Sequence, residues 1–339
     1  MSFKTKFYRI TNPINKRFSF EKFSPKLPFQ DLILVYHLVS DADLKHAKHL
    51  FPYRSVKQFE RDLDFLSKHF DFIDWDTFLK HKSEKIKTKK PSILLTFDDG
   101  YSEFYNVIFP ILKRKGIFAI NFINPKFIDN NEMMWRNKAS LIVSEIIQNE
   151  LFQNKISKFQ DFGNDLNQNI NSILKINFKN QNLLDEIANH LEIDFNDYVK
   201  KNPVYLTTEQ LIKLKNNGFG ISSHGWDHPL YNQLSLPEQL ENTQKSLDYM
   251  NENQFLNDSF AFPFTDYMID NQFFENIFHH NPELKFTFGS AGLKLDSYSK
   301  NLQRIPIESG NYSAEENLKN EILYYQILKK INKNKIIRS

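Results

Sequence analysis

The chain has 339 residues, 40% of them hydrophobic, which is enough for one large α/β domain with insertions or for two smaller domains. Its 44 Lys and Arg nearly balance its 41 Asp and Glu, so the net charge of +3 gives no support for a nucleic-acid-binding surface. The sequence contains no cysteine. This excludes a disulfide framework and a thiolate metal site, and it leaves histidine and carboxylate as the strong metal ligands.

Residues 1–29 form a predicted N-terminal extension. Its basic and aromatic start, residues 1–10, is not followed by an apolar signal-peptide core or a small-residue cleavage site. No stretch of the chain has the roughly 18 apolar residues that a membrane-spanning helix needs. We therefore expect a cytoplasmic protein. A weak contact of the basic start with anionic lipid is the alternative to simple solvation of this segment.

From residue 30 to residue 310, short apolar segments alternate with longer segments of helical period. This alternation is typical of βα units and predicts an α/β fold with a parallel sheet or barrel. The predicted strands are 32–36, 93–97, 118–123, 220–223, 259–262, 285–288 and 304–307, with a weaker one at 70–73.

Helical periodicity predicts surface helices over 56–69 and 105–115, the second of which ends at Gly116. Thr207 and Ser235 are suited to cap the helices that follow them.

Two segments fall outside the alternation. Residues 130–203 are rich in Asn and Lys and are predicted to be a helical insertion between two strands. Residues 311–339 are predicted to be a C-terminal helix that leads into a basic tail. The apolar positions spaced for helix packing in the insertion include Leu141, Ile142, Val143, Ile146 and Ile147.

Two adjacent carboxylates, Asp98 and Asp99, follow the predicted strand 93–97 and precede Gly100. Adjacent carboxylates repel each other, and a cation bound to one of them is one way to keep both ionised. That arrangement would give one metal ligand and one base. Asp and Gly are also the usual residues of a simple turn, so this motif alone leaves both interpretations open.

His224 and His228 follow the predicted strand 220–223, and Gly225 and Pro229 favour a loop for this segment. Such a pair by itself is more often at the surface or in the core than at a metal. In a parallel α/β fold, however, this motif and the carboxylate pair both lie at the carboxyl ends of strands, where ligands bind. Together they supply the oxygen and nitrogen donors that hold zinc or a similar divalent ion.

These residues resemble the polysaccharide deacetylases with a NodB-homology domain, carbohydrate esterase family four, over about residues 32–307. Residues 96–100 match the family motif Thr-Phe-Asp-Asp-Gly, and residues 224–228 match its His-Ser/Thr-x-x-His motif except at Gly225. The hydroxyl that is missing at Gly225 usually braces the loop, so we expect a looser loop here.

The resemblance implies an α/β fold of the distorted (β/α)7 barrel type with a helical insertion. It also implies that Asp98 is the general base and that Asp99, His224 and His228 bind a divalent metal. We expect Zn²⁺, with Co²⁺, Ni²⁺ or Mn²⁺ as alternatives.

The segment 261–264, Ala-Phe-Pro-Phe, resembles the family's Arg-x-Pro-Tyr strand without its arginine. The resemblance implies that Phe264 offers its backbone N–H to the oxyanion and that Pro263 contributes to substrate binding. Arg304 resembles an arginine found in many relatives of one subgroup. It either replaces the missing arginine or is a surface residue before an edge strand.

The family's late Leu-x-His motif, which supplies a general acid, is not visible in this sequence. Residues 34–37 resemble instead the opening of biofilm-type deacetylases, in which a histidine faces the site. This makes His37 the candidate acid, and a structural histidine at the end of the first strand is the alternative.

Four aromatic or basic residues are further candidates for substrate contacts. Trp135 and Arg136 resemble an aromatic-basic pair that precedes the insertion in this subgroup, although tryptophan is also a common core anchor. Trp226 lies between the two histidines and is expected in the cleft wall. Tyr101, next to the first motif, is also assigned to substrate binding.

The predicted reaction is metal-dependent removal of an N-acetyl group from an amino sugar of a polysaccharide or its precursor. A cytoplasmic location would favour a lipid-linked or nucleotide-linked precursor. One alternative is hydrolysis of an O-acetyl ester or cyclic amide at the same site. Another is a carbohydrate-binding protein with a degenerate site, which is suggested by Ala261, by Gly225 and by the missing late histidine.

Overall fold

The computed structural model describes residues 3–84, 86, 88–160, 162–308 and 310–339. Within these ranges the strands are β1 (Asp31–Tyr36), β2 (Asp71–Phe72), β3 (Ser92–Asp98), β4 (Ala119–Ile123), β5 (Gly220–Ser223), β6 (Ser259–Ala261), β7 (Phe286–Gly289), β8 (Leu295–Asp296), β9 (Asn301–Gln303), β10 (Ile305–Pro306) and β11 (Lys335–Ile336).

The α-helices of the same ranges are α1 (Phe3–Asn15), α2 (Val56–His69), α3 (Trp75–Glu84), α4 (Phe109–Lys115), α5 (Trp135–Gln148), α6 (Glu150–Ile156), α7 (Leu166–Lys175), α8 (Asn182–Leu191), α9 (Phe195–Lys201), α10 (Thr208–Asn216), α11 (Leu236–Glu252), α12 (Asn271–His280) and α13 (Ala314–Lys330). None of them is both long enough and apolar enough to cross a bilayer.

The main sheet is a nearly closed barrel of parallel strands in the order β10-β1-β3-β4-β5-β6-β7-β9. Arg304 alone separates β9 from β10, and these two short strands pair with β7 and β1 respectively. The interrupted segment therefore brings the two ends of the sheet together. With β9 and β10 taken as one strand, seven strands surround the barrel, and the predicted distorted (β/α)7 barrel is confirmed.

The last predicted strand differs from the observed one. The range 304–307 contains only the two residues of β10, whereas β9 lies before Arg304 and was not predicted. The weaker prediction at 70–73 is present as β2, which pairs with the start of β3 outside the barrel order.

Successive side chains of each strand alternate between the helical layer and the barrel interior, as the period of two requires. Leu32 and Leu34 of β1 pack with Phe59 and Leu63 of α2. Ile33 instead joins an inner cluster that also contains Leu94, Ile120, Phe122, Ala261 and Phe288 of other strands and Trp75 and Phe78 of α3. Because Leu94 faces inward, Thr96 and Asp98 do so too, and Asp98 lies at the carboxyl end of β3.

The predicted helix ends have the expected chemistry. Thr207 accepts a hydrogen bond from the Gln210 N–H in a capping box, and Glu238 accepts one from the Ser235 N–H at 2.7 Å. Gly116 ends α4 with a φ of 65°, which glycine adopts without steric cost. The predicted helix 105–115 is α4 preceded by one π-helical turn, Phe104–Ile108.

Helices α5 to α9 form a cluster between β4 and β5 with their own apolar core, which includes Leu141, Ile142, Val143 and Ile146. Ile147 was expected in this packing, but it is 46% exposed. The same cluster contains Tyr101 and Met134, so the helices α5 to α9 pack directly against the carboxyl-terminal end of the barrel.

The two ends of the chain are both packed on the barrel. Helix α1 packs against α13, and α13 contributes Leu318 and Ile322 to the main core. Beyond α13, β11 pairs in parallel with β8, and Arg338 forms buried ion pairs with Asp266 and Asp296.

Candidate active site

Asp98 and Arg304 form a buried bidentate ion pair at the carboxyl-terminal end of the barrel. Arg304 Nη1 lies 2.6 Å from Asp98 Oδ1, and Nη2 lies 2.7 Å from Oδ2. Burial would raise the pKa of the Asp98 carboxyl, but the charge and hydrogen bonds of Arg304, together with the charges of His224 and His37, outweigh it, so this pKa is below its ordinary value. Arg304 is only 1% exposed, which excludes the surface-arginine interpretation.

Asp99 lies in the tight turn that follows β3. Its φ is 73° and that of Gly100 is 65°, so two successive residues are left-handed. This conformation is uncommon outside glycine but tolerable for aspartate, and strained residues of this kind cluster at functional sites. The turn interpretation and the ligand interpretation of Asp99 are therefore compatible, because the turn directs the Asp99 carboxylate toward the two histidines.

His224 and His228 leave the end of β5 and converge on Asp99. The Nε2 atoms of His224 and His228 lie 3.5 Å and 3.1 Å from Asp99 Oδ1. One ligand atom from each of the three residues lies within 4.8 Å of the others, and all three side chains are buried. Asp98 Oδ2 lies 3.6 Å from His224 Nε2, so the base candidate adjoins this group.

The donor set suits a divalent metal of the zinc type. Asp99 Oδ1 is buried and has no hydrogen-bond partner among the described residues, as expected of an oxygen that binds a cation. His224 Nδ1 lies 2.8 Å from the Ala261 carbonyl, which fixes the ring and leaves Nε2 as the free ligand atom. Burial lowers the pKa of His224 to about 4, so the ring is neutral and able to bind metal at pH 7.

The histidine loop is braced without a hydroxyl at position 225. A Cβ on Gly225 would lie 2.9 Å from Asn242 Oδ1 and 3.1 Å from the Tyr231 hydroxyl, and its φ is 74°. Asn242 Oδ1 accepts the Trp226 N–H at 2.8 Å, and Asn124 Nδ2 donates to the His224 carbonyl at 2.6 Å. Amide side chains of neighbouring elements therefore hold the loop, contrary to the looser loop expected from the sequence.

His37 follows β1 and is held by Glu308. Glu308 Oε2 lies 2.9 Å from both His37 Nδ1 and the His37 backbone nitrogen, and Oε1 accepts the Leu38 N–H at 3.1 Å. Burial would lower the pKa of His37, but the hydrogen bond and charge of Glu308, with the charges of Asp99 and Asp98, raise it to about 9. Sequence reasoning missed Glu308, whose only signal was an acidic residue just after a predicted strand.

A cavity of about 260 Å³ opens at this end of the barrel. It brings together several predicted site residues with apolar neighbours, and its lining is His37, Leu50, Phe51, Asp99, Tyr101, Met134, Arg136, His228 and Phe264. His37 and the Asp99–His228 pair therefore face the same space. A larger cavity of about 510 Å³ lies among α5, α8 and α9 and is lined by none of the predicted site residues.

Three predicted substrate residues do not line the 260 Å³ cavity. The Trp226 ring packs under Lys245, whose Nζ lies 4.0 Å from the ring centroid. Trp135 is buried and donates from Nε1 to the His228 carbonyl at 3.1 Å, so it supports the histidine loop. Pro263 is buried next to the histidine loop. A Cβ added to Gly225 would lie 3.5 Å from the ring of Pro263.

Phe264 has a φ of 57°, is 40% exposed and packs its ring 4.4 Å from that of His228. In the described part of the chain, its backbone N–H donates no hydrogen bond. Arg136 reaches the cavity from the start of α5 while its Nη1 donates to the Leu174 carbonyl.

A parallel barrel with charged groups gathered at the carboxyl ends of its strands places the protein among the α/β-barrel enzymes. Residues 85–268, more than half of the chain, match the family model described as polysaccharide deacetylase. The chain therefore belongs to the polysaccharide deacetylase family, as its motifs predicted, and membership implies a deacetylase that acts on an acetylated carbohydrate.

Solved structures of low sequence identity share the fold. The Streptococcus pyogenes deacetylase PplD in complex with acetate is 17% identical with a TM-score of 0.56, and the match covers 86% of this chain and 97% of that one. The de-N-acetylase from Aggregatibacter actinomycetemcomitans is 14% identical, with a TM-score of 0.53 and coverage of 85% and 99%. IcaB from Ammonifex degensii is 14% identical, with a TM-score of 0.52 and coverage of 86% and 97%. No curated protein matches the chain.

Proposed function

We propose that the protein is a metal-dependent hydrolase that removes the N-acetyl group from an amino sugar of a polysaccharide or its precursor. The observation that carries this proposal is the location of the Asp98–Arg304 pair directly beside the Asp99–His224–His228 group. A divalent ion held by that group, most suitably Zn²⁺, would polarise the acetyl carbonyl and lower the pKa of a water molecule toward about 7.

Asp98 is the proposed general base. Arg304 keeps its carboxylate ionised and fixes both oxygens, so Asp98 can accept the proton of the attacking water without prior rearrangement. The backbone N–H of Phe264, which has no acceptor among the described residues, is the proposed donor to the oxyanion of the tetrahedral intermediate.

His37 is the proposed general acid. Glu308 occupies Nδ1, which leaves Nε2 to donate a proton to the departing amine. An amine is a poor leaving group unless it is protonated, whereas an ester oxygen needs less assistance. A histidine held by Glu308, which raises its pKa, supplies an acid for the amine and therefore favours amide cleavage over the O-acetyl alternative. Tyr101 and Arg136 are the proposed sugar contacts, because both line the cavity beside His37.

The degenerate-site alternative has less support. A site that had lost catalysis would have no need of a buried arginine that replaces the one absent at Ala261, since an unused buried ion pair costs desolvation energy.

The proposal is tested by acetate release from N-acetylhexosamine oligosaccharides with the metal-loaded wild type and Asp98→Asn. We expect release by the wild type, and we expect an Asp98→Asn variant that retains the metal but loses release by a factor on the order of 100 to 10,000. Asp227→Asn, in the same loop but hydrogen-bonded to Asn242, is the matched control and should remain active. Release from O-acetylated sugars alone, or sugar binding without turnover, would contradict the proposal.

A further inference from the structure

Helix α1 is oriented with its polar face inward and its apolar face outward. Its buried residues are Tyr8, Asn12 and Asn15. Each hydrogen-bonds a polar side chain of α13: Tyr8 donates to Glu321, Asn12 to Glu316 at 3.0 Å, and Asn15 to Asn320 at 2.8 Å. A helix that served only to cover the core would bury its apolar stripe instead.

The outward face of α1 is an apolar stripe. Phe3, Ile10 and Ile14 are 71%, 70% and 58% exposed, and their spacings of seven and four residues place them on one side of the helix. Beyond the helix, Phe18 is also 41% exposed. Large exposed apolar side chains in a contiguous line indicate a surface that another molecule or a membrane covers.

The charges around the stripe are of one sign. Lys6 and Arg9 lie beside it on α1, and Lys16 and Arg17 follow the helix; all four are exposed. The chain has no acidic residue before Glu21. Lys4 differs from these residues, because its charge is already paired with Glu321 at 2.8 Å. Lys16 also lies close enough to Glu316 of α13 to help lower the pKa of that carboxyl. Lys6 and Arg9 have no ion pair within the described ranges, and they can meet anionic groups outside the protein.

We propose that this face, defined by Phe3, Lys6, Arg9, Ile10 and Ile14, docks the protein on a bilayer that contains anionic phospholipid. Interfacial helices of this kind combine buried apolar side chains with basic residues at the level of the headgroups. A second copy of the chain fits less well, because a two-fold contact would bring the same basic groups face to face. None of these residues lines the active-site cavity, so the docking face and the proposed site use different side chains.

The test is co-sedimentation of the full chain with vesicles. We expect binding to mixed phosphatidylglycerol and phosphatidylcholine vesicles, weak or absent binding to pure phosphatidylcholine, and a decrease with added salt. Lys6→Glu with Arg9→Glu should weaken binding by about fivefold per residue or more. Ile10→Ser with Ile14→Ser should weaken it at least as much while the far-UV spectrum stays unchanged, because both side chains are exposed.

Matched controls come from the insertion. Ile147 and Leu151 are also exposed, at 46% and 69%, and Ile147→Ser with Leu151→Ser should leave vesicle binding unchanged. Equal binding to neutral and anionic vesicles would overturn the proposal. So would concentration-dependent dimerisation that is lost in the Ile10 and Ile14 variant without any vesicle binding. The readout is independent of deacetylation, so failure of one proposal does not affect the other.

Discussion

Arg304, at the junction of β9 and β10, binds Asp98 of β3 across 206 positions of sequence, and each of its terminal nitrogens contacts one carboxylate oxygen. The same residue separates β9 from β10 and so lies at the closure of the barrel. One side chain therefore contributes to the closure of the fold and to the ionisation of the proposed base.

Replacing Arg304 should damage stability and activity together. Arg304→Ala leaves a buried carboxylate without its partner, which costs about 3–5 kcal/mol of the free energy of unfolding. Arg304→Lys retains a charge but not the two-nitrogen contact, so we expect a smaller loss of stability and still a fall in kcat/KM on the order of 100-fold. Urea unfolding and steady-state kinetics check both values, and an Arg304→Ala variant with wild-type kcat/KM would contradict the role assigned to the pair.

Asp99, His224 and His228 should each be necessary for metal. Asp99→Ala, His224→Ala and His228→Ala are expected to contain little metal by plasma mass spectrometry, whereas Trp226→Ala should remain loaded because its ring packs under Lys245. Zn²⁺ at 100 times its dissociation constant should stabilise the wild type by about 2.7 kcal/mol and the three variants hardly at all. Unchanged occupancy in any of the three would remove that residue from the ligand set.

The pH dependence of the reaction should report on His37 and Glu308. In the metal-free protein burial would lower the pKa of His37, but Glu308, Asp99 and Asp98 raise it to about 9, and the activity of the metal-loaded enzyme should decline as rising pH removes the proton of His37. Glu308→Gln removes the charge responsible and should move this decline to lower pH. A bound divalent ion lowers the pKa of His37 in both proteins, so the difference between them, measured as kcat/KM against pH in metal-loaded protein, is the decisive quantity. Coincident profiles would refute the assignment.

Folding stability should show the same linkage in the metal-free protein. A histidine whose pKa is higher in the folded than in the unfolded state stabilises the fold most below the unfolded value of about 6.5. The contribution is lost as the pH rises through about 9. Glu308→Gln should therefore destabilise the protein more at pH 6 than at pH 10, and an equal loss at both would argue against a charged His37.

Restoring the family's serine at Gly225 should be harmful here. Gly225→Ser adds a Cβ 2.9 Å from Asn242 Oδ1 to a backbone with a φ of 74°, which costs roughly 1–2 kcal/mol for the conformation and more for the clash. Gly116→Ser has a similar φ of 65° but no atom within 4 Å, so it isolates the conformational cost. We expect a larger loss of unfolding free energy and weaker metal binding for Gly225→Ser, and equal losses would show that the loop accommodates the side chain.

Much of this architecture was predictable because local patterns carry it. The strand before Asp98 is mostly apolar, and the carboxylate pair and the histidine pair each follow a predicted strand directly. Parallel strands bring their carboxyl ends to one edge, so proximity of Asp99, His224 and His228 followed from the fold class alone.

The remaining parts depend on contacts between distant segments. Glu308 meets His37 over 271 residues, and Asn242 and Asn124 reach the histidine loop from other elements. No period or spacing marks such partners. Trp226 lies between two candidate ligands in sequence, which suggested a place in the cleft wall. In the folded loop its ring packs under Lys245 and does not line the cavity. The last strand was misplaced because Asn301 and Gln303 are polar and their pairing with β7 is set by the sheet, not by their own propensity.

The closure of the barrel at β10 sets the order in which a growing chain can become complete. β1 leaves the ribosome well before its neighbour β10, which lies some 270 residues later in the chain. Until then Asp98 lacks its ion-pair partner Arg304, and the polar face of α1 lacks its hydrogen-bond partners on α13. Until β10 emerges, the sheet keeps an unpaired edge and the proposed site is incomplete. A chain that stops before Arg304 would have neither the closing strand nor the partner of Asp98.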